Sequence, residues 1–183
     1  MSRKAVITQK EIVDAAFRIT QAEGFDKITS RGLAQEAGCS TQPIFRIYEN
    51  MEALKKDVYD QAASFYESYT RRNKGDSTTP FVNLGMAYIG FAREHPHLFR
   101  LLFLTDNLAG KRSMYDLVNG TQEAVSREAQ RAKEAGCADP NGLFMRMWIF
   151  IHGAACMAVT GDYDLGEEES RSMLTTCYED FAG

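Results

Sequence analysis

Apolar residues recur along this chain at intervals of three and four, the spacing that lines side chains along one face of an α-helix. After Thr8, the residues Ile12, Ala15, Ala16, Phe17 and Ile19 form such a stripe. Thr8 offers a hydroxyl to cap that helix, and Gly24 can take the left-handed backbone that ends one. A first helix is therefore expected up to about Glu23, with Phe25 plugging the core beyond it. Thr29 or Ser30 caps a short second helix carrying Leu33, Ala34 and Ala37, which Gly38 closes. Ser40 or Thr41 opens a third with Ile44, Ile47 and Tyr48, and Asn50 opens a fourth. In the fourth, Leu54, Val58, Ala62, Phe65 and Tyr69 step by four, four, three and four, which predicts a long helix to about Arg72.

The segment "NKGDSTTP" then reads as a linker. Thr79 before Pro80 predicts a helix start, since proline suits the first helical position. Phe81, Leu84, Tyr88 and Phe91 supply the stripe, and His95-Pro96 the stop. "HLFRLLFL" predicts a short apolar helix, "TDNLAGK" a loop, and Ser113 to Ala135 a longer polar helix closed by Gly136. Asp139-Pro140 opens another helix. From Leu143 to Thr160 it is apolar almost all round, which predicts burial on every side. The last helix begins with Glu167, Glu168 and Glu169 against its positive end, and its stripe is Ser170, Met173, Leu174, Cys177, Tyr178 and Phe181. With no strand pattern, internal repeat or low-complexity run, the expected fold class is all-α.

A chain of 183 residues suits one or two compact domains. Its net charge of −4 argues against a uniformly basic nucleic-acid binder. The average hides an asymmetry. Residues 1–56 hold nine Lys/Arg against seven Asp/Glu, while the remainder hold twelve against eighteen. A mildly basic front and an acidic body imply different partners for the two. Cys39, Cys137, Cys156 and Cys177 form no CxxC pair, so they read as free buried thiols rather than disulfides or zinc ligands. The His95-Pro96-His97 triplet reads as a helix break, and neither metal nor cofactor is expected. No N-terminal run joins a charged start to an apolar core, and no window approaches the roughly 18 apolar residues of a membrane span. The expectation is a cytoplasmic protein without membrane contact.

The second and third helices, joined by Ala37-Gly38-Cys39-Ser40, have the outline of a helix-turn-helix. Pro43 explains where the third helix must begin. Inside a helix its missing N–H would cost ~3 kcal/mol, but in the first turn that N–H has no partner to lose. With Ser40 as cap, Thr41, Gln42 and Pro43 form an exposed first turn, the part of a recognition helix that meets base edges in a major groove. Gln42 suits adenine and Thr41 offers a hydroxyl and a methyl. Ile44 and Ile47 face inward, leaving Phe45 and Arg46 outward. Thr29 and Ser30 at the second helix start, and Lys55 and Lys56 in the fourth, are placed to meet phosphates. Arg3 and Lys4 form a candidate minor-groove arm. Thr29, Ser30, Ser40, Thr41, Gln42, Pro43, Phe45, Arg46, Tyr48 and Lys55 make up the candidate DNA-contact set.

From about Gln9 to Leu54, "EIVDAAFRITQAEGFDKITSRGLAQEAGCS" followed by "PIFRIYENMEAL" resembles the N-terminal domain of TetR/AcrR transcriptional regulators. The shared frame is a helix ending in Glu-Gly-Phe, a Thr-rich lead-in, Leu-Ala-x-x-Ala-Gly-x-Ser, an aromatic cluster and a long connecting helix. "REHPHLFRLLF" and "WIFIHGAA" are more weakly similar to C-terminal segments of some members. Phe45 stands where many members carry Tyr, Ile47 where an aromatic or His is usual, and Met51 where Lys is common. The resemblance implies a helix-turn-helix domain over residues 1–48 and a helical effector-binding and dimerisation domain over 49–183. It implies a repressor, released from a palindromic operator on double-stranded DNA by a small-molecule effector, and a homodimer formed through the last two helices.

The broad apolar coverage of those two helices independently suggests a two-fold four-helix bundle, with Gly153, Ala154 and Ala155 permitting close approach. Met86, Tyr88, Phe91, Phe99, Phe103, Met114, Tyr115, Trp148, His152 and Met157 are the candidate effector-pocket residues, suited to an apolar or aromatic ligand. Three histidines with no recurrent cysteine or carboxylate beside them argue against an enzyme, and no catalytic residue is assigned. The competing reading is a helical protein–protein adaptor without DNA binding.

Overall fold

The computed structural model describes residues 7–105 and 122–182. Nine helices occur among them: α1 Gln9–Glu23, α2 Ser30–Glu36, α3 Thr41–Ile47, α4 Met51–Arg72, α5 Val82–Glu94, α6 Pro96–Phe99, α7 Gln122–Glu134, α8 Pro140–Thr160 and α9 Glu167–Ala182. A tight 3-10 turn at Phe25–Lys27 follows α1, and a wider π-wound turn at Arg100–Leu104 continues α6. No strand is present among the described residues, so the fold is all-α. The chain divides into two compact units, Met1–Phe65 with His97–Lys111 and Tyr66–Pro96 with Arg112–Gly183, each taken over its described residues.

Local chemistry explains most boundaries. Thr8 Oγ1 accepts from the Glu11 N–H while the Glu11 carboxylate accepts from the Thr8 N–H at 2.7 Å, a reciprocal cap that satisfies two otherwise idle donors. Asn50 Oδ1 accepts from the Ala53 N–H at 2.9 Å and starts α4. Asp139 accepts from the Gly142 N–H, Pro140 takes the first position of α8, and Gly161, at φ +86°, ends that helix. α5 stops at Glu94, before Pro96, as expected.

In the N-terminal unit, Ile12, Ala15, Ala16, Leu33, Ile44, Leu54, Val58 and Ala62 are buried. Phe17 and Phe65 add a tilted ring pair at 5.7 Å. His97 lies against Gly24, where a Cβ would come within 3.3 Å of its ring nitrogen, so the glycine serves close approach as well as its positive φ. In the other unit, α8 packs against α5, α7 and α9. The centre is the buried set Tyr88, Phe91, Leu143, Met147, Ile151, Ala155 and Leu174.

Several expectations need correction. α5 does not begin at Thr79-Pro80. Its cap is Phe81, a non-glycine residue with φ +65°. Left-handed backbone costs an ordinary residue about 1–2 kcal/mol. It is held because the Phe81 ring is fully buried and its N–H donates to the Glu128 carboxylate at 2.8 Å. Arg131, paired with Glu128 at 2.8 Å, also donates to the Thr78 carbonyl. The anchor comes from far along the chain, where cap-and-proline logic does not look.

α8 is not buried on every side. Met145, Ile149 and Met157 are exposed large apolar residues, and Gly153 lies between them at the same four-residue step. Ala154 and Ala155 face inward instead. By length and composition α8 is apolar enough to cross a membrane, but its opposite face forms the centre of this unit. On α9, Met173 is exposed while Ser170 and Leu174 are buried. Phe25 is half-buried and takes Lys55 Nζ over its ring at 5.0 Å. Only Cys137 among the cysteines is buried. The expected start of the Ser113–Ala135 helix, the "TDNLAGK" loop after Thr105, Arg3, Lys4, Met114 and Tyr115 all lie outside the described residues.

Candidate nucleic-acid interface

The turn between α2 and α3 is built by backbone bonds. The Gly38 N–H donates to the Gln35 carbonyl and the Cys39 N–H to the Ala34 carbonyl. Gly38 has φ +66° with open space around it, so backbone conformation rather than crowding demands glycine there. Leu33 and Ala34 bury α2, and Ile44 buries α3.

The two helices use their caps differently. Thr29 Oγ1 accepts from the Gly32 N–H, the third helical position of α2, at 3.0 Å. The corresponding residue of α3 is Pro43, which has no N–H to give. Ser40 accordingly caps α3 by backbone only, with no side-chain bond. Proline at this position thus leaves the Ser40 hydroxyl facing solvent rather than tied to its own helix.

Ser40, Gln42, Phe45 and Arg46 are exposed, and Thr41 and Pro43 are half-buried. Phe45, at 55% exposure, is a large apolar ring left in water between Gln42 and Arg46 on the exposed face of α3. Thr29 is exposed, Ser30 half-buried, and Arg31, on the same turn, is exposed. Neither Arg31 nor Arg46 pairs with a carboxylate among the described residues, whereas Arg18 pairs with Glu36 and Lys56 with Asp60. Lys55 is committed to the Phe25 ring. Tyr48 differs from the rest of the set: it is buried, and its hydroxyl donates to Asp57 at 2.7 Å. Burial first, and the neighbouring Asp57 carboxylate second, push its phenol far above the ordinary range.

The aromatic residues of the C-terminal region fall into separate groups. Tyr88, Phe91, Trp148 and His152 belong to the second unit. The Tyr88 hydroxyl meets His152 Nδ1 at 3.0 Å, Trp148 stacks on His152 at 5.7 Å, and Cys156 Sγ lies 3.6 Å from Nε2. Met86 is half-buried in the same unit. Phe99 and Phe103 belong to the first unit, where their rings pair at 4.9 Å. The pairing of Phe91 with Tyr66 at 4.9 Å brings in a residue outside the expected stripe. Tyr66 rather than Phe65 is the buried member there, and the steps 62, 66, 69 carry that signal equally well.

The profile of the family described as Tetracyclin repressor-like, C-terminal domain, matches residues 81–179. The chain belongs to the TetR family. It is 30% identical over 112 residues to the uncharacterized HTH-type transcriptional regulator YobS of Bacillus subtilis, covering 57% of this chain and 56% of that protein. It is 24% identical over 96 residues to a second such regulator of that organism, YvkB, covering 52% and 51%. The chain thus spans about half the length of the curated relatives it matches. Among solved structures, a TetR family protein from Vibrio parahaemolyticus superposes with TM-score 0.65 at 18% identity, covering 93% of this chain and 96% of that one. A TetR-like regulator from Rhodococcus sp. RHA1 gives 0.63 at 13% identity, with 97% of both chains covered. These similarities place the helical architecture, with the helix-turn-helix at its front, within the TetR fold.

In this TetR family member, His152 carries a stability consequence. Burial lowers its affinity for a proton below the ordinary value of about 6.5. The unfolded chain therefore binds that proton more readily than the folded one. The resulting contribution to stability is present above about pH 6.5 and is lost as pH falls below it. The melting temperature should drop between pH 7.5 and 5.5, and His152→Gln should make that drop shallower. An unchanged slope in the variant would show that other groups control the acid limb.

Proposed function

We propose that this protein is a sequence-specific DNA-binding transcriptional regulator, a repressor released from a palindromic operator by a small-molecule effector. The observation that carries the reading is α3. It is a short helix buried through Ile44, with Gln42, Phe45 and Arg46 on its outer face, preceded by a glycine turn and a second short helix. A solvated polar face has no need of an exposed phenylalanine beside Arg46, which pairs with no carboxylate among the described residues. A major groove takes both, the ring against a thymine methyl or sugar and the guanidinium against a flanking phosphate. Thr29 and Ser30 at the start of α2, and Ser40 and Thr41 at the start of α3, add hydroxyls.

In this proposal residues 1–48 are the reading head and residues 49–183 hold effector and partner, the latter a second copy of the chain. The exposed Met145, Ile149, Gly153 and Met157 of α8, with Met173 of α9, supply the apolar surface that a homodimer covers. Tyr88, Phe91, Trp148 and His152 supply the aromatic walls and polar anchors for an apolar or aromatic effector. An effector that favours one arrangement of the body over another by 1–3 kcal/mol changes DNA affinity about 5- to 150-fold. α4, continuous from Met51 to Arg72, supports a mechanical link, since it starts beside α3 and enters the second unit at Tyr66. A cytoplasmic location follows from this role.

Selection of bound duplexes from a random pool tests the proposal, with a palindromic consensus as the expected result. On that consensus, Gln42→Ala should relax preference at one base position. Arg46→Ala should weaken all duplexes alike and reduce the salt slope by about one unit. Identical behaviour of the two variants would remove the assignment of roles on α3. Absence of any binding at low salt would replace the DNA reading by the adaptor one.

A further inference from the structure

One carboxylate in the N-terminal unit joins three helices. Asp57 sits in the second turn of α4, and its Oδ2 accepts from the Tyr48 hydroxyl at 2.7 Å and from Gln9 Nε2 at 2.7 Å. Tyr48 is the residue on which α3 ends, its N–H bonded to the Ile44 carbonyl at 2.8 Å. Gln9 is the first residue of α1. The oxygen therefore collects a donor from the end of α3 and another from the start of α1, and fixes both to α4.

α3 has seven residues, of which Ile44 alone is buried. A helix seated through one inward side chain can roll and tilt about it. The Tyr48 ring, 5% exposed, adds a second seat, but a ring in an apolar slot still permits sliding. A hydrogen bond from its hydroxyl to an ionised carboxylate gives the seat a direction. The geometry matters because α3 is a lever. It is about 10 Å long, so a tilt of about 10° at its Tyr48 end moves the Gln42 end by ~2 Å. Base-edge contacts hold only within about 0.5 Å of their productive position.

We propose that the Tyr48–Asp57–Gln9 cluster sets the tilt of α3 and thereby its discrimination among base sequences. Tyr48 and Asp57 are positioning residues in this account, and Tyr48 leaves the DNA-contact set in which sequence reasoning placed it. The proposal rests on α3 being the reading helix. Its chemistry is specific to this arrangement: phenylalanine could replace the ring of Tyr48 for packing, but the phenolic oxygen that donates to Asp57 from that end of α3 would be lost.

The test uses the full chain with two duplexes of equal length, the consensus selected by the unaltered protein and a scrambled version of it. Tyr48→Phe keeps the ring, and Asp57→Asn keeps the shape while removing the charge. Each should lower affinity for the consensus about tenfold, the worth of a base-edge contact. Affinity for the scrambled duplex, its salt slope and the active fraction from stoichiometric titration should stay unchanged. The double variant should be no worse than Asp57→Asn alone, because Tyr48→Phe removes a link that Asp57→Asn has already broken. Parallel losses on both duplexes with a reduced active fraction would overturn the proposal in favour of general stabilisation. A lower salt slope for Tyr48→Phe would overturn it in favour of direct phosphate contact, and unchanged discrimination would overturn it outright. Failure of the unaltered protein to select any consensus is a separate result. It removes the DNA reading itself, and the positioning role with it.

Discussion

Ile149→Glu should yield a folded monomer whose affinity for its selected DNA is lower by two orders of magnitude or more. Ile149 is 69% exposed, the most exposed of the large apolar residues on α8. Within one chain the change costs little, because surface substitutions usually stay within about 0.5 kcal/mol and glutamate is a good helix former. In a two-fold interface the effect is doubled by symmetry, since each chain brings one carboxylate into the same apolar seam. An unpaired charge removed from water there costs several kcal/mol. Loss of the proposed dimer would also uncouple its two reading heads, and tethering of two sites is worth roughly 10²–10⁴ in affinity. Light scattering of the eluting peak gives the mass, and the melting curve shows whether the chain remains folded. A dimer of undiminished mass would move the association surface away from α8.

That surface shows where sequence reading succeeds and where it stops. Periodicity and caps locate α1 to α4 closely because their signals are local: Thr8, Gly24, Thr29, Pro43 and Asn50 each act on the backbone within four residues. The helix-turn-helix is legible for the same reason, and so is the outward face of α3. α8 is different. Its near-continuous apolar character does not record which sides the same chain covers: Met145, Ile149 and Met157 stay exposed. Phe81 shows a second kind of failure. Its left-handed backbone is set by Glu128, a residue 47 positions away, and nothing near Pro80 announces it. The Tyr48–Asp57 bond is of this type too: two polar residues nine apart, on different helices, whose meeting depends on how α3 lies against α4. Tyr48 was legible as an aromatic near the reading face. In the proposed account its role turns on one oxygen atom, whose partner Asp57 only the fold supplies.

Two glycines of the second unit allow the proposed association to be tested apart from folding. Gly85, buried on α5, faces Ile151 of α8 and Leu174 of α9. A Cβ there would stand 2.9 Å from Leu174 Cδ1 and 3.0 Å from two atoms of Ile151. Gly85→Leu forces three more carbons into that contact, and overpacking of a filled core typically costs about 1–3 kcal/mol and occasionally more. For a chain of this size, ~3 kcal/mol corresponds to a fall of roughly 6–12 °C in melting temperature. Gly153, on the exposed stripe of α8, has nothing within 4 Å of where a Cβ would stand. Gly153→Leu should leave the monomer as stable as before, or slightly more so, because leucine favours helix over glycine by up to about 1 kcal/mol. Its harm should appear only on association, as a raised dimer dissociation constant, because the added side chain holds the facing helices apart. The contrast is decisive because the two substitutions are chemically identical and differ only in which side of the bundle they crowd. If Gly153→Leu lowers the melting temperature of the isolated monomer as Gly85→Leu does, α8 is packed against its own chain on the face assigned to the partner. Measuring both in the Ile149→Glu background, where no dimer contributes to the melt, isolates that difference.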